Sequence, residues 1–229
     1  MKRFGIFGWP LDYSLSPEIH NAAFKQAGLD WSYELLPTKS EDLAAAVIRF
    51  REESFGGANV TIPHKEKIIP FLDGLTDTAA AIGAVNTLFW KHDKLIGDNT
   101  DAPGFLEDLR KKEVRLPGMK ALVLGAGGSA KAIGYALFHG HADNIETWTR
   151  SSGAMPMPGD ITVNCTPGLS PEYLEEIQFG PGQVLYDLVY DPEETPLMKK
   201  AIAGGAKAFN GKGMLLEQAA LSFEIWRTG

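Results

Sequence analysis

Three observations predict an α/β protein in two lobes. Short apolar strand-like runs alternate with helical patterns along the chain. A charged stretch marked by Pro103-Gly104 and Leu116-Pro117-Gly118 divides this alternation near residues 102–117. The second half then opens on a continuous apolar strand that runs into a glycine-rich turn. Helices on both faces of the sheets give three layers, αβα.

The first lobe begins with a strand-like pattern at Lys2, followed by a helix over 17–27, a strand near 31–36 and a helix over 41–53. A strand at 58–62, helices over 64–72 and 76–83, and a hairpin complete it. The second lobe starts with a strand at 120–124 and returns through βα units with strands near 145–148 and 161–165. The boundaries that follow are 1–101 for the first domain and 102–212 for the second. A last helix at 213–227 is expected to pack back on the first.

Composition narrows the function classes. A chain of 229 residues, 44% hydrophobic and 22% charged, can bury a sizeable core. A net charge of -7 without blocks of like charge argues against nucleic-acid or anionic-membrane partners, which would want a clustered basic face. Any anionic ligand must be held by local groups. No apolar run reaches membrane-spanning length, and the strand-like pattern starts too early for a signal peptide, so a cytoplasmic protein is expected. Cys165 is the only cysteine, and the five histidines lack metal-ligand spacing; no metal is expected.

The segment Asn59-Val60-Thr61-Ile62-Pro63-His64-Lys65 places an amide, a hydroxyl and an amine along one strand-to-helix passage. Alternation sends Ala58, Val60 and Ile62 to one face and Asn59 and Thr61 to the other. Pro63 would open a helix with Lys65 in its first turn, where the positive end of the helix dipole disfavours an extra cation, so the amine could act as an acid or base. A polar strand face followed by a solvated lysine would read the same way. Upstream, Ser14 and Ser16 stand two apart before a helix that Pro17 can open, a plausible carboxylate cradle; Ser16 could equally be a simple helix cap. In the hairpin, a register symmetric about Lys91 to Lys94 sets Asn86 opposite Asn99, with Asp101 just beyond.

In the second lobe, Gly125-Ala126-Gly127-Gly128-Ser129-Ala130 after an apolar strand fits the dinucleotide-binding fingerprint G-x-G-x-x-A, which makes this lobe Rossmann-like. The next strand leads to Thr149-Arg150-Ser151-Ser152, where a carboxylate would serve a ribose hydroxyl; an arginine with hydroxyls suits a 2'-phosphate and favours NADP over NAD.

In order along the chain these segments resemble the shikimate dehydrogenase family. Ser14-Leu15-Ser16-Pro17 is similar to its S-x-S-P loop, and Asn59 to Lys65 to its N-V-T-x-P-x-K. Gly83 to Thr87, Gly97 to Asp101, Gly125 to Ala130, Asn164-Cys165-Thr166-Pro167, Asp187-Leu188-Val189-Tyr190 with Thr195-Pro196-Leu197, and Gly211 to Gln218 follow in the family's order. The resemblance implies an NADP-dependent oxidoreductase that interconverts 3-dehydroshikimate and shikimate in chorismate and aromatic amino acid biosynthesis. It implies Lys65 and Asp101 as the catalytic pair, with the working base left open between them. It implies that Ser14, Ser16, Thr61, Asn86, Tyr190 and Gln218 hold the substrate, and Asn59 is counted with them. On the cofactor side it adds Cys165, Thr166, Pro167, Val189 and Gly211 to the glycine turn and to Thr149, Arg150 and Ser151. A small-molecule substrate is thus the partner, and the chain could be a monomer or a homodimer. A dehydrogenase for quinate or a similar cyclic hydroxy acid, and a shikimate-binding regulatory protein without turnover, are the other readings.

One segment departs from the family. Residues 151–160, Ser151 to Asp160, hold two prolines and two glycines and cannot form a helical crossover, where family members carry a further helix and strand. A second phosphate-binding arginine, expected near Gly153 or Ala154, is missing. NADP binding weaker by roughly 1.5 to 3 kcal/mol than in a full-length relative follows from the loss of one charge-assisted hydrogen bond.

Overall fold

A computed structural model describes residues 1–12 and 14–228. The chain divides into two compact units, one of residues 1–100 and 218–229 and one of residues 101–217.

In the first unit the elements are β1 (Lys2–Gly8), α1 (Ser16–Gln26), β2 (Trp31–Pro37), α2 (Leu43–Glu52), β3 (Gly57–Val60), β4 (Gly74–Leu75), α3 (Asp77–Ile82), β5 (Thr87–Lys91) and β6 (Lys94–Asp98). Its mixed sheet has the order β2-β1-β3-β5-β6-β4. β1 is parallel to β2 and β3, whereas β5 runs antiparallel to both β3 and β6. Apolar side chains from alternate strand positions meet α2 in a core around Phe7, Val47, Phe50, Ala58, Val60 and Leu88. A second cluster, with Phe4, Phe24, Tyr33 and Trp226, packs α1 and the C-terminal helix against the sheet.

Two sequence expectations fail here. No helix runs over 64–72: turns lead into a 3₁₀ turn at Ile69–Phe71. Pro70 has no N–H to return to the Glu66 carbonyl, so the Ile69 N–H takes that carbonyl at 3.3 Å in the tighter three-residue step. Lys65 therefore sits in a turn and feels no helix dipole. Ile62 does not join Ala58 and Val60 inside but is 50% exposed. The strand ends at Val60, and the His64 N–H closes a turn onto the Thr61 carbonyl at 2.8 Å, which stops the alternation.

The second unit holds α4 (Asp101–Lys111), β7 (Lys120–Leu124), α5 (Gly128–His139), β8 (Asn144–Trp148), β9 (Ile161–Asn164), α6 (Pro171–Glu176), β10 (Val184–Asp187), α7 (Pro196–Ala203), β11 (Lys207–Asn210) and the start of α8 (Lys212–Thr228). Its five strands are all parallel in the order β11-β10-β9-β7-β8. The six-stranded doubly wound order would set one more strand outside β8. Here β8 is the edge, and its exposed Asn144, Glu146 and Thr147 make it a polar one. The crossover from β8 to β9 contains only a 3₁₀ turn at Arg150–Ser152 and irregular chain. Gly159 lets it run close beside β7: a Cβ there would lie 2.4 Å from the Lys120 carbonyl oxygen. No helix among the described residues is long and apolar enough to cross a membrane.

Candidate active site

In the first unit Asn59, Thr61, Lys65, Asn86 and Gln218 gather at the edge where β1 and β3 end and β5 begins. Backbone hydrogen bonds join its strands. Thr61 N–H donates to the Phe7 carbonyl at 2.8 Å, Val60 N–H to the Asn86 carbonyl at 2.8 Å, and Asn86 N–H to the Asp98 carbonyl at 3.0 Å. Asn86 thereby faces Asn99, continuing the register in which Thr87 pairs with Asp98. Lys65, half-buried, is held against the same edge by the Val85 N–H, which donates to its carbonyl at 2.7 Å.

Beneath this surface lies a buried network of neutral polar groups. Asn59 Oδ1 accepts the Tyr33 hydroxyl at 2.7 Å, while Asn59 Nδ2 donates to the Asn86 carbonyl at 3.1 Å and to Ser222 Oγ at 3.0 Å. Asn86 Oδ1 accepts the Thr100 N–H at 2.8 Å, and Asn86 Nδ2 reaches Thr100 Oγ1 at 2.9 Å and Gln218 Oε1 at 3.2 Å. Thr87 Oγ1 and Ser222 Oγ lie 2.8 Å apart, and Ser222 Oγ donates to the Gln218 carbonyl at 3.0 Å. Asn59 thus faces the interior and holds the Asn86 backbone, while Thr100 and Gln218 hold the Asn86 side chain. Burial raises the Tyr33 phenol well above its ordinary pKa and keeps it a donor. A network whose members are mutually satisfied is rigid, because every alternative rotamer strands a buried polar group.

Ser16 is not a cap. Leu15 occupies the N-cap of α1 in a helical conformation without a side-chain bond, and Ser14 Oγ accepts the Ser16 N–H at 3.3 Å. Ser16 itself is the first residue of the helix and is buried. Thr61 is half-buried where β3 ends. His20, one turn into α1, is stacked on Tyr33 with ring centroids 4.4 Å apart. Neither of its ring nitrogens has a hydrogen-bond partner among the described residues, and burial pushes the imidazole down to about 4.

In the second unit every position read as cofactor-binding falls at the carboxyl edge of the parallel sheet, where ligands of doubly wound folds bind. β7 and β9 lie side by side there at the switch point of strand order. Gly125 N–H donates to the Trp148 carbonyl at 2.8 Å and Cys165 N–H to the Leu124 carbonyl at 2.8 Å. Leu188 N–H reaches the Asn164 carbonyl at 2.9 Å and Gly211 N–H the Val189 carbonyl at 3.3 Å. Ala126 and Gly127 are exposed, Gly128 and Ala130 are buried, and Ser129 is half-buried. Gly125 adopts φ +118°, a conformation closed to other residues. Gly127, the N-cap of α5, offers no side-chain acceptor, and a Cβ there would meet nothing within 4 Å. This open turn over the α5 N-terminus fits a pyrophosphate.

Asp187 braces the edge from inside. Its Oδ1 accepts Asn164 Nδ2 at 2.9 Å and the Val189 N–H at 3.1 Å, and its Oδ2 accepts Thr195 Oγ1 at 2.6 Å. Burial raises its carboxyl pKa against the lowering effect of these bonds. Asn164 Oδ1 in turn accepts Thr166 Oγ1 at 2.7 Å and the Thr166 N–H at 3.1 Å, which shapes the Cys165-Thr166-Pro167 turn. Tyr190 follows in the loop after β10, half-buried. Thr149 and Ser152 form a capping box, and Ser151 Oγ lies 2.8 Å from Thr149 Oγ1, with the exposed Arg150 the charged group of that turn. Asp101 is buried at the first position of α4.

Sequence reasoning missed Tyr33, Ser222 and Trp148 as parts of this machinery. Ser222 lies four residues after Gln218 and shares its helix face, so helical period could have found it. Tyr33 and Trp148 carry no comparable signal.

Residues 6–88 match the family described as the shikimate dehydrogenase substrate binding domain. A shikimate dehydrogenase (NADP(+)) of Carboxydothermus hydrogenoformans is 39% identical over 98% of this chain and 91% of its own length. Among solved structures, shikimate 5-dehydrogenase of Thermus thermophilus in complex with NADP(H) and shikimate matches with a TM-score of 0.89 and 35% identity, covering 100% of this chain and 94% of that one. The ligand-free 5-ketofructose reductase of a Gluconobacter species matches with a TM-score of 0.81 and 29% identity, covering 100% of this chain and 93% of that one.

Proposed function

The chain belongs to the shikimate dehydrogenase family, and on that premise we propose that it catalyses the reversible NADP-dependent reduction of 3-dehydroshikimate to shikimate, a step of chorismate and aromatic amino acid biosynthesis. The observation that carries this reading is the carboxyl edge of the parallel sheet, where an open glycine turn, the Thr166 turn and Arg150 occupy neighbouring strand ends.

Gly125 to Ala130 would hold the pyrophosphate with backbone N–H groups, Arg150 the 2'-phosphate, and Cys165 to Pro167, Val189 and Gly211 the nicotinamide side. The cofactor supplies the hydride acceptor for alcohol oxidation and the donor for ketone reduction. The chain supplies the proton chemistry: Lys65 and Asp101 jointly take the hydroxyl proton during oxidation and return it during reduction. Asn86 and Gln218, pre-set by the buried network, orient the ring hydroxyls together with Thr61 and Tyr190. Ser14 and Ser16 hold the carboxylate, and Asn59 acts through Asn86. Neutral donors orient a polyol without competing for the transferred proton, which leaves that proton to the lysine and the carboxylate.

The test is the rate of NADP+ reduction by the purified protein with shikimate, beside NAD+ and quinate, together with the rate of NADPH oxidation with 5-ketofructose. Turnover with shikimate and NADP well above the other pairs supports the reading. A preference for quinate moves the chain to the related cyclic hydroxy acids, and shikimate binding without turnover makes it a binding protein.

A further inference from the structure

We propose that Trp148 is a positioning residue for cofactor selectivity: its indole N–H fastens the shortened crossover so that Arg150 is presented to a 2'-phosphate. The inference rests on the NADP reading above.

The crossover from β8 to β9 lacks the helix that would normally fix the end of β8. What replaces it is local. Trp148 is 3% exposed, and its Nε1 donates to the carbonyls of Gly153 and Ala154, both at 3.1 Å. The indole meets Tyr173 of α6 edge-on, with centroids 4.7 Å apart, in a cluster to which Met155 adds its side chain. The backbone of the same residue accepts the Gly125 N–H at 2.8 Å. One residue therefore ties the glycine turn, through its carbonyl, to the far side of the Arg150 turn, through its side chain. The capping box of Thr149 and Ser152 closes that turn from its other end, with the Thr149 N–H donating to Ser152 Oγ at 3.1 Å. Between these two fastenings stands Arg150, exposed and on a single 3₁₀ turn.

A turn that samples other conformations binds with an affinity reduced by the fraction of time it is competent. Loosening either fastening should therefore weaken recognition of the 2'-phosphate and leave the rest of the cofactor untouched. Trp148→Phe keeps the ring and removes the N–H. Ser152→Ala breaks the box at an exposed position and cannot unfold the core. Equilibrium titration with NADP+ and NAD+ should give, for each variant, an NADP+ dissociation constant about fivefold higher, the scale of one neutral hydrogen bond, and an NAD+ constant within about twofold of the parent. Amide exchange over 149–155 should quicken in Trp148→Phe. Equal weakening of both cofactors, or no change in NADP+ affinity, overturns the proposal. Arg150→Ala separates the two levels: loss of NADP+ affinity there, with none in the two variants, rejects the anchor alone. No loss in Arg150→Ala rejects the 2'-phosphate reading together with it.

Discussion

The candidate edges of the two units differ in what gives each its character. In the first unit backbone bonds join the strand ends, and a layer of side chains beneath them gives the edge its character: Asn59, Asn86, Thr87, Thr100, Gln218 and Ser222 satisfy one another in the interior. At the edge of the second the exposed groups are mainly backbone, with strand-end N–H groups donating to carbonyls of neighbouring strands, glycines keeping the turn open, and Asp187 and Asn164 bracing it from inside. A ring bearing several hydroxyls needs donors and acceptors at chosen positions, which only side chains provide. A pyrophosphate needs a row of N–H groups, which any backbone supplies if nothing covers it. The side-chain edge should therefore be the less tolerant of substitution.

The largest expected effect lies in chemistry. Lys65→Ala should lower kcat by roughly 10²-fold or more with a smaller change in KM, the scale of an acid-base group. Steady-state rates within threefold of the parent would remove Lys65 from the mechanism.

Two isosteric exchanges of opposite sense then test the comparison directly. Asn59→Asp places a carboxylate against the Asn86 carbonyl, where an amide donor stood, and should cost about 3 kcal/mol or more by chemical denaturation. Asp187→Asn should cost only about 1 kcal/mol, because the Thr195 hydroxyl can turn to accept from the new amide. Equal costs would break the contrast between the two edges.

Acid should reach the first unit through His20. In the unfolded chain this histidine takes a proton below about pH 6.5. In the fold burial holds it neutral down to about 4. Between those values the unfolded state binds the extra proton, so stability falls as pH falls, by up to about 3 kcal/mol across the window. His20→Phe should flatten that part of the stability profile. A variant whose profile keeps the parent's slope between pH 6.5 and 4 would show that other groups carry it. At neutral pH, where His20 is neutral in both states, this effect disappears and the cost of Asn59→Asp remains.

The difference between the edges also explains what could be read in advance. Gly125, Gly127 and Gly128 follow a continuous apolar strand, and that local order is enough to announce a turn at a helix N-terminus. The shortened crossover was legible for the same reason, since two prolines and two glycines exclude a helix locally. The register of Asn86 against Asn99 followed from the two-residue turn between Lys91 and Lys94. The turn at Lys65 was misread as a helix because Pro63 resembles a helix opener, while the consequence of Pro70 appears only in the hydrogen bond that the Glu66 carbonyl finally makes.

By itself the sequence determined the alternation of strands and helices, the glycine turn and the short crossover. These depend on neighbours in the chain, and periodicity and turn chemistry act over a few residues. Only the tertiary structure decided that Asn59 turns inward to Tyr33 and Ser222, and that the Trp148 indole closes over Gly153 and Ala154. Asn59 and Ser222 are 163 positions apart, and no local preference can specify which distant oxygen a buried amide will find. That choice is made by packing, because a buried donor left without an acceptor costs more than any rotamer preference can offset.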